Sequence, residues 1–503
     1  SSSAASDVYK RQHKTTALIL YNQSKYYSPS LQYYVPNAYQ GLVGRLTYEY
    51  ASRYLAEFNM GYNGTENFAK GKRFGFFPAV SLGWVISEEK FFPKNNIVKY
   101  LKVRGSYGEV GNDQIGGDRF LYLPSSYGAA SDSGVNKYNF GLASNPYTSL
   151  MIVENKIGNP DLTWEKAKKM NVGVDINLFN NCLTASFDIF KEKRNNILAN
   201  RSTSPMIIGA NLPAYNFGEM ENRGWEMDLN FRHHIQDFHY WARFNYSFAR
   251  NEIIYMDEVQ KRYDYQMTTG RRKNQFFGLI FDGYYNSWEE INALDRPKSS
   301  WSGNQLQPGD VKYVDVNQDG VIDDYDMVPI GYTPVPEIIY GFSFGAQYKG
   351  FDFSILFQGA DNVSIKYFGR SMWPFAKGEE SAKSLIKERW TQERYEAGEK
   401  ITFPRLSLNP NGETDHNYRP STLWIRDASY LRLKNLEVGY TFTGGFVKRL
   451  NLNSVRLYFN GSNLFTWTDV VDLDPEAPSR SGNVQINTYP LQKVYNIGLN
   501  INF

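Results

Sequence analysis

Cysteine is almost missing: Cys182 is the single one in 503 residues. That excludes a disulfide framework and a zinc site of several cysteines, and it suits a protein of the cell envelope. Histidine is scarce too, with five in the chain. His233 and His234 fall in a predicted short turn, with no cysteine or carboxylate at metal spacing, and read as turn residues. No apolar run approaches the ~18 residues that a membrane-crossing helix needs. The formal charge of +3 has no excess of one sign, so no nucleic-acid partner is expected. Residues 1–12 (SSSAASDVYKRQ) hold no apolar stretch of the ~7–15 residues of a secretory signal. They do not alternate either, and are expected to be a non-native leader. There is no nucleophile elbow and no phosphate loop. Glu289/Glu290 and Glu379/Glu380 are adjacent pairs in charge-rich loops, which read as solvated surface rather than glycosidase carboxylates. No catalytic residue is assigned, and the chain is not expected to be an enzyme.

Aromatic residues, by contrast, are abundant: 38 Tyr, 33 Phe and 10 Trp make 16% of the chain. Aromatic girdles at two membrane interfaces use such a composition. The apolar residues fall on every second position in many segments. Tyr495, Ile497, Leu499, Ile501 and Phe503 alternate with Asn496, Gly498, Asn500 and Asn502. Tyr340 to Tyr348 and Phe351 to Phe357 alternate on either side of Lys349-Gly350, the pattern of a hairpin. The parity slips between Leu433 and Leu436, which predicts a bulge. Fourteen spanning strands follow, near 14–22, 40–50, 53–62, 73–86, 100–110, 166–178, 182–193, 222–233, 238–251, 336–348, 351–362, 421–442, 453–467 and 490–503. Short and long gaps alternate between them, as periplasmic turns and extracellular loops do. Segment 274–285 has strand character but would invert that rhythm, so it is placed in a long extracellular excursion over 252–335. The expected fold is all-β: a transmembrane antiparallel barrel, with Leu499, Ile501, Phe342 and Phe353 facing lipid. A soluble all-β protein is the alternative that alternation alone leaves open.

One stretch carries metal chemistry. Residues 315–326 place oxygen ligands at loop positions 1, 3, 5 and 9 (Asp315, Asn317, Asp319, Asp323). The carbonyl of Val321 stands at position 7 and Asp326 at position 12, with Gly320 at the sharp turn. This EF-hand-like order predicts a structural Ca²⁺, although position 12 is Asp rather than Glu, which lowers the expected affinity. A calcium-free acidic turn is the competing reading. Tyr284, Tyr285, Trp288, Trp301, Trp373 and Trp390 lie in long loops, where they either stack on sugars or pack the loops.

Several motifs, in order, resemble the SusC/RagA family of TonB-dependent outer-membrane transporters. They are RFGFFPAVSLGW (73–84), LKVRGSYG (101–108), NPDLTWE (159–165), NRGWE (222–226), PGDVKYVD (308–315), DASYLRLKN (427–435), NLFTW (463–467) and DPE (474–476). The resemblance runs from about residue 40 to the end. It implies a barrel of 22 strands enclosing a plug, of which residues 13–503 would be the C-terminal part, about 14 strands, with plug and TonB-contacting segment absent. The expectation is therefore a fragment, which by itself would insert poorly and aggregate. The resemblance further implies import of glycan oligosaccharides or peptides across the Gram-negative outer membrane. The implied partners are a SusD-like surface lipoprotein, the TonB–ExbB–ExbD complex through the missing part, and membrane lipid. A secreted glycan-binding or hydrolytic β-protein with a dockerin-like calcium loop is one rival, and a passive porin is the other.

Overall fold

The computed structural model describes residues 2–8, 12–27, 36–114, 119–123, 128–129, 137–142, 147–150, 152–153, 157–203, 212–301, 306–367, 373–375, 384–407, 415–471, 473–476 and 491–503. Its long strands are β1 (Ser2–Val8), β2 (His13–Tyr26), β3 (Asn37–Tyr50), β4 (Tyr54–Thr65) and β5 (Phe74–Val85). Next come β6 (Val98–Asn112), β7 (Glu165–Leu178), β8 (Leu183–Ala199), β9 (Tyr215–Ile235) and β10 (Phe238–Tyr255). The last are β11 (Ile338–Tyr348), β12 (Phe351–Asp361), β13 (Tyr430–Phe442), β14 (Ser454–Thr468) and β15 (Val494–Asn502). Sheet order equals chain order, so every connection is that of a meander. The chain divides into two compact units, residues 1–176, 188–223 and 251–259, and residues 177–187, 224–250 and 260–503.

In the first unit the registers sort the side chains by chemistry. Tyr54 pairs with Trp84, Phe58 with Val80 and Tyr62 with Phe76 on one face. Thr47 pairs with Glu57 and Arg45 with Asn59 on the other. A period of two requires this separation, because successive side chains leave the sheet on opposite sides. Segment Ser2–Val8 has no such alternation in sequence, yet pairs antiparallel with His13–Ile19. Ladder bonds are made by backbone, so a strand without side-chain alternation can still join an edge.

The second unit repeats the sorting. Phe342 pairs with Phe244 and Phe357, Val438 with Phe459, and Leu457 with Leu499. Phe342, Phe353, Leu499 and Ile501 share the apolar face, as the alternation requires. The turn Lys349-Gly350 has φ of +45° and +90°, and two left-handed residues match the twist of the flanking strands. The bulge lies between Leu433 and Asn435. One predicted strand is corrected: 421–442 is too long. Only Tyr430–Phe442 joins the sheet, while Ile425–Asp427 forms a separate short ladder with Ser364–Lys366. Segment 274–285 also stays outside the long strands, in short ladders Phe277–Gly278 with Val328–Pro329 and Phe281–Tyr284 with Val311–Tyr313.

The loops of this unit bury a core of their own. Leu279, Val311, Tyr367, Phe403, Tyr418 and Trp424 are at most 2% exposed. The core is braced by buried polar groups. Asp310 accepts from Asn417 Nδ2 at 2.7 Å and pairs with Arg405 Nε at 2.6 Å. His416 Nε2 donates to the Val311 carbonyl at 2.8 Å, which leaves neutral Nδ1 to accept from Ser299 Oγ at 3.0 Å. Burial holds the His416 pKa below the ordinary imidazole value.

Candidate functional site

The polar face of the first unit carries fixed charge and an open cavity. Arg104 on β6 lies opposite Gly83 of β5. Its guanidinium donates to both oxygens of Asp188 at 2.6 Å and to Asp175 at 3.1 and 3.3 Å. This planar two-pronged pairing is what arginine does and lysine cannot. Gly173 makes the room, because a Cβ there would meet Arg104 and Asp188 at 2.6–2.7 Å. A cavity of about 580 Å³ opens toward the long-loop ends of β2–β4 and β6. Arg119 in its wall is paired with Glu66 at 2.9 Å. Among the described residues the rest of the wall is mostly hydroxyl and amide, from Ser24, Tyr26, Asn37, Tyr39, Thr65, Asn67 and Gln114, with Ala38 and the Asp113 carboxylate. Such a wall suits a neutral, hydrogen-bonding solute. Sequence reasoning missed it, because Ser24, Tyr26, Asn37 and Tyr39 lie in the predicted gap between strands 14–22 and 40–50, which the structure fills with the ends of β2 and β3.

In the second unit the acidic loop 315–326 is closed by its own backbone. Asp315 Oδ2 accepts from Gly320 N at 2.8 Å, Asn317 Oδ1 from Asp319 N at 3.0 Å, and Asp319 Oδ1 from Val321 N at 2.9 Å. Asp326 accepts from the backbone of Val316, Asn317 and Asp323. Asp323 caps the short helical turn after it. Gly320, at φ +81°, supplies the left-handed residue. Among the described residues no three His, Cys, Asp or Glu side chains converge as metal ligands. Two of these carboxylates are withdrawn from solvent. Asp315 Oδ1 is buried and makes no hydrogen bond. Asp326 is fully buried, and desolvation raises its pKa despite the amides that bond it. The segment before it straps the loop: Tyr265 Oη donates to the Tyr325 carbonyl and Gln266 Nε2 to the Asp324 carbonyl, both at 2.7 Å.

The other candidates are sorted by burial. Tyr284, Tyr285, Trp373 and Trp390 are 5–8% exposed, which overturns sugar stacking for these four in favour of loop packing. Trp301 is covered by the Arg419 guanidinium at 4.1 Å. Trp288 remains 54% exposed. His233 lies within β9, and its ring contacts Tyr240 Oη at 3.2 Å. Glu290 accepts from Asn286 N, while Glu379 and Glu380 lie outside the described residues.

A buried arginine went unread in the sequence. Arg432, 2% exposed, donates to Glu476 at 2.5 Å, Asp474 at 2.7 Å and Thr466 Oγ at 3.0 Å. Tyr430 Oη adds a bond to Glu476 at 2.7 Å. The motifs 427–435 and 474–476 are thus two halves of one charged cluster. The signal was an arginine between Leu431 and Leu433, on the parity opposite those two leucines.

Comparison with known proteins agrees with this architecture. Residues 5–464 match the family described as "TonB dependent receptor-like, beta-barrel". TonB-dependent receptor P3 of Formosa agariphila is 29% identical over 479 residues, covering 92% of this chain and 45% of that protein. TonB-dependent receptor SusC of Bacteroides thetaiotaomicron is 28% identical over 477 residues, covering 94% and 44%. The chain therefore spans about half the length of the curated relatives it matches. In fold it superposes on the RagAB peptide transporter with a TM-score of 0.74 at 22% identity, over 100% of this chain and 54% of that one.

Proposed function

The chain belongs to the TonB-dependent receptor β-barrel family, and from that premise we propose that it is barrel wall of a SusC-like outer-membrane importer. The observation that carries the reading is the two-faced meander, apolar on one face and polar on the other, through the family-matched stretch. A lipid-facing and a lumen-facing side are what such a wall needs. The cargo is a glycan oligosaccharide or a peptide. The hydroxyl- and amide-lined cavity supports the glycan side of that choice. A SusD-like lipoprotein would cap the long-loop side, and TonB–ExbB–ExbD would supply energy. Transport breaks no covalent bond, so no side chain is given a catalytic role. Uptake of labelled oligosaccharide and peptide pools by cells carrying the complete protein tests this. Uptake lost equally on deleting the gene or TonB is expected. Uptake that survives TonB deletion would make the protein a passive porin.

For the acidic loop we propose one structural Ca²⁺. Asp315, Asn317, Asp319, Asp323 and Asp326 side chains and the Val321 carbonyl would hold it. The buried, unbonded Asp315 Oδ1 and the buried Asp326 carboxylate support it, and a loop supplying six protein oxygens suits this ion better than the smaller Mg²⁺, which demands a tight octahedron and keeps several waters. Calorimetry on the complete protein should give one site, of the order of 10⁻⁴–10⁻³ M if it resembles extracellular modules. Asp315→Ala with Asp319→Ala should abolish it. No heat at millimolar Ca²⁺ would leave a self-bonded turn.

A further inference from the structure

The short-turn end of the second unit carries an apolar and basic rim that the transport reading does not use. Phe238 and Tyr348 rings lie 6.2 Å apart, Phe351 and Tyr440 4.5 Å, and Tyr440 and Phe442 4.6 Å. This row stands on the apolar face at the ends of β10–β13, where amphipathic rings meet headgroups. Lys349 occupies the adjoining turn, its Nζ 5.2 Å from the Tyr348 ring centroid. The Gly350 carbonyl in that turn accepts from Thr441 N at 2.8 Å. Four residues later the helical turn Gly445–Arg449 begins. It buries Val447 but leaves Phe446 76% and the following Leu450 55% exposed. Phe446 and Leu450 are four apart and so share one face. Lys448 and Arg449 stand between them, and among the described residues neither has a carboxylate within ion-pair distance.

Exposed Phe and Leu beside unpaired cations, level with an aromatic row, match the chemistry of a membrane interface. There, rings and aliphatic chains enter the acyl boundary while cations stay among phosphates. We propose that this rim is a binding site for an anionic phospholipid of the leaflet facing the short turns, its phosphate held by Lys349, Lys448 and Arg449 and its chains against Phe446 and Leu450. The two exposed side chains are too small a patch for a stable protein partner, which buries on the order of 1,000 Å² or more. The site rests on the barrel reading, which puts short turns at the periplasmic side.

Native mass spectrometry of the complete protein, offered equal phosphatidylglycerol and phosphatidylethanolamine, tests it. Wild type should retain phosphatidylglycerol preferentially. Each cation removed in the series Lys349→Gln, Lys448→Gln, Arg449→Gln should cut that preference about fivefold, and Lys448→Arg should keep it. Heat-modifiable migration, unchanged in the variants, controls for folding. Equal retention of both lipids by wild type, or an unchanged preference in the triple variant, would overturn the lipid site and leave the barrel standing. Wild type without heat-modifiable migration would overturn the barrel reading and the site with it.

Discussion

Along the strand wall of the second unit, Phe342 is 38% exposed, Phe351 59% and Leu499 56%. Within the loops of the same unit, Tyr367 is 0% exposed and Phe403 and Trp424 are 1%. The wall is organised by backbone ladders and leaves half its apolar surface to be covered from outside. The loop core completes its own burial, side chain against side chain, as a water-soluble domain does. One unit thus contains two solutions to the same burial problem, and they should fail differently.

The largest separation is expected from Trp424→Ala. Its indole is packed between Phe403 and Tyr418 and donates to the Asn417 carbonyl at 2.8 Å. Truncation should cost ~3–5 kcal/mol in the loop core alone. Limited proteolysis should then cut the loops while the wall keeps its heat-modifiable migration. Loss of both together would erase the distinction. Next is a charge on the wall: Phe342→Arg should cost ~2–4 kcal/mol in the membrane, read as a lowered dissociation temperature. Asn500→Lys, on the opposite face beside Arg456, should cost less. Equal costs would mean the face assignment is wrong.

The smallest effect is acid sensitivity confined to the loop core. The His416 pKa is lowered in the folded state, so the unfolded chain takes up a proton first. Its stabilising contribution is full above the ordinary imidazole value of ~6.5 and is lost as pH falls through the folded one. Proteolytic release of the loops should accelerate from pH 7.5 to pH 5 and lose that slope in His416→Gln. Without Ca²⁺, Asp326 should act oppositely at lower pH. Its raised pKa favours the protonated carboxyl, so its contribution is present below the ordinary aspartate value and lost as pH rises through the folded one.

These two regions also differ in how far the sequence announces them. Wall strands repeat every two residues, and the alternation of Tyr340 to Tyr348, or of Val455, Leu457 and Phe459, can be followed by eye. The loop core has no period. Trp373 and Trp390 look the same in sequence whether they await a sugar or fill a core, and only tertiary packing decides. The apolar residues of 421–429 continue the neighbouring pattern and so read as strand, yet Leu423 and Trp424 turn into the loop core. The acidic loop was legible in ligand spacing, but not in the backbone amides that its carboxylates accept. The cavity depended on which residues of β2, β3 and β6 meet, which one strand's pattern does not reveal.

The Arg432 cluster has a mechanical meaning. It ties Asp474 and Glu476, at the root of the last long loop, to the wall at β13 and β14. Removing one partner of a buried, bonded charge costs ~3–5 kcal/mol, so the joint holds the root firmly to the wall. The root of that loop is therefore a fixed pivot rather than a free hinge. A pull on Asp474 or Glu476 is carried through Arg432 into β13 and β14.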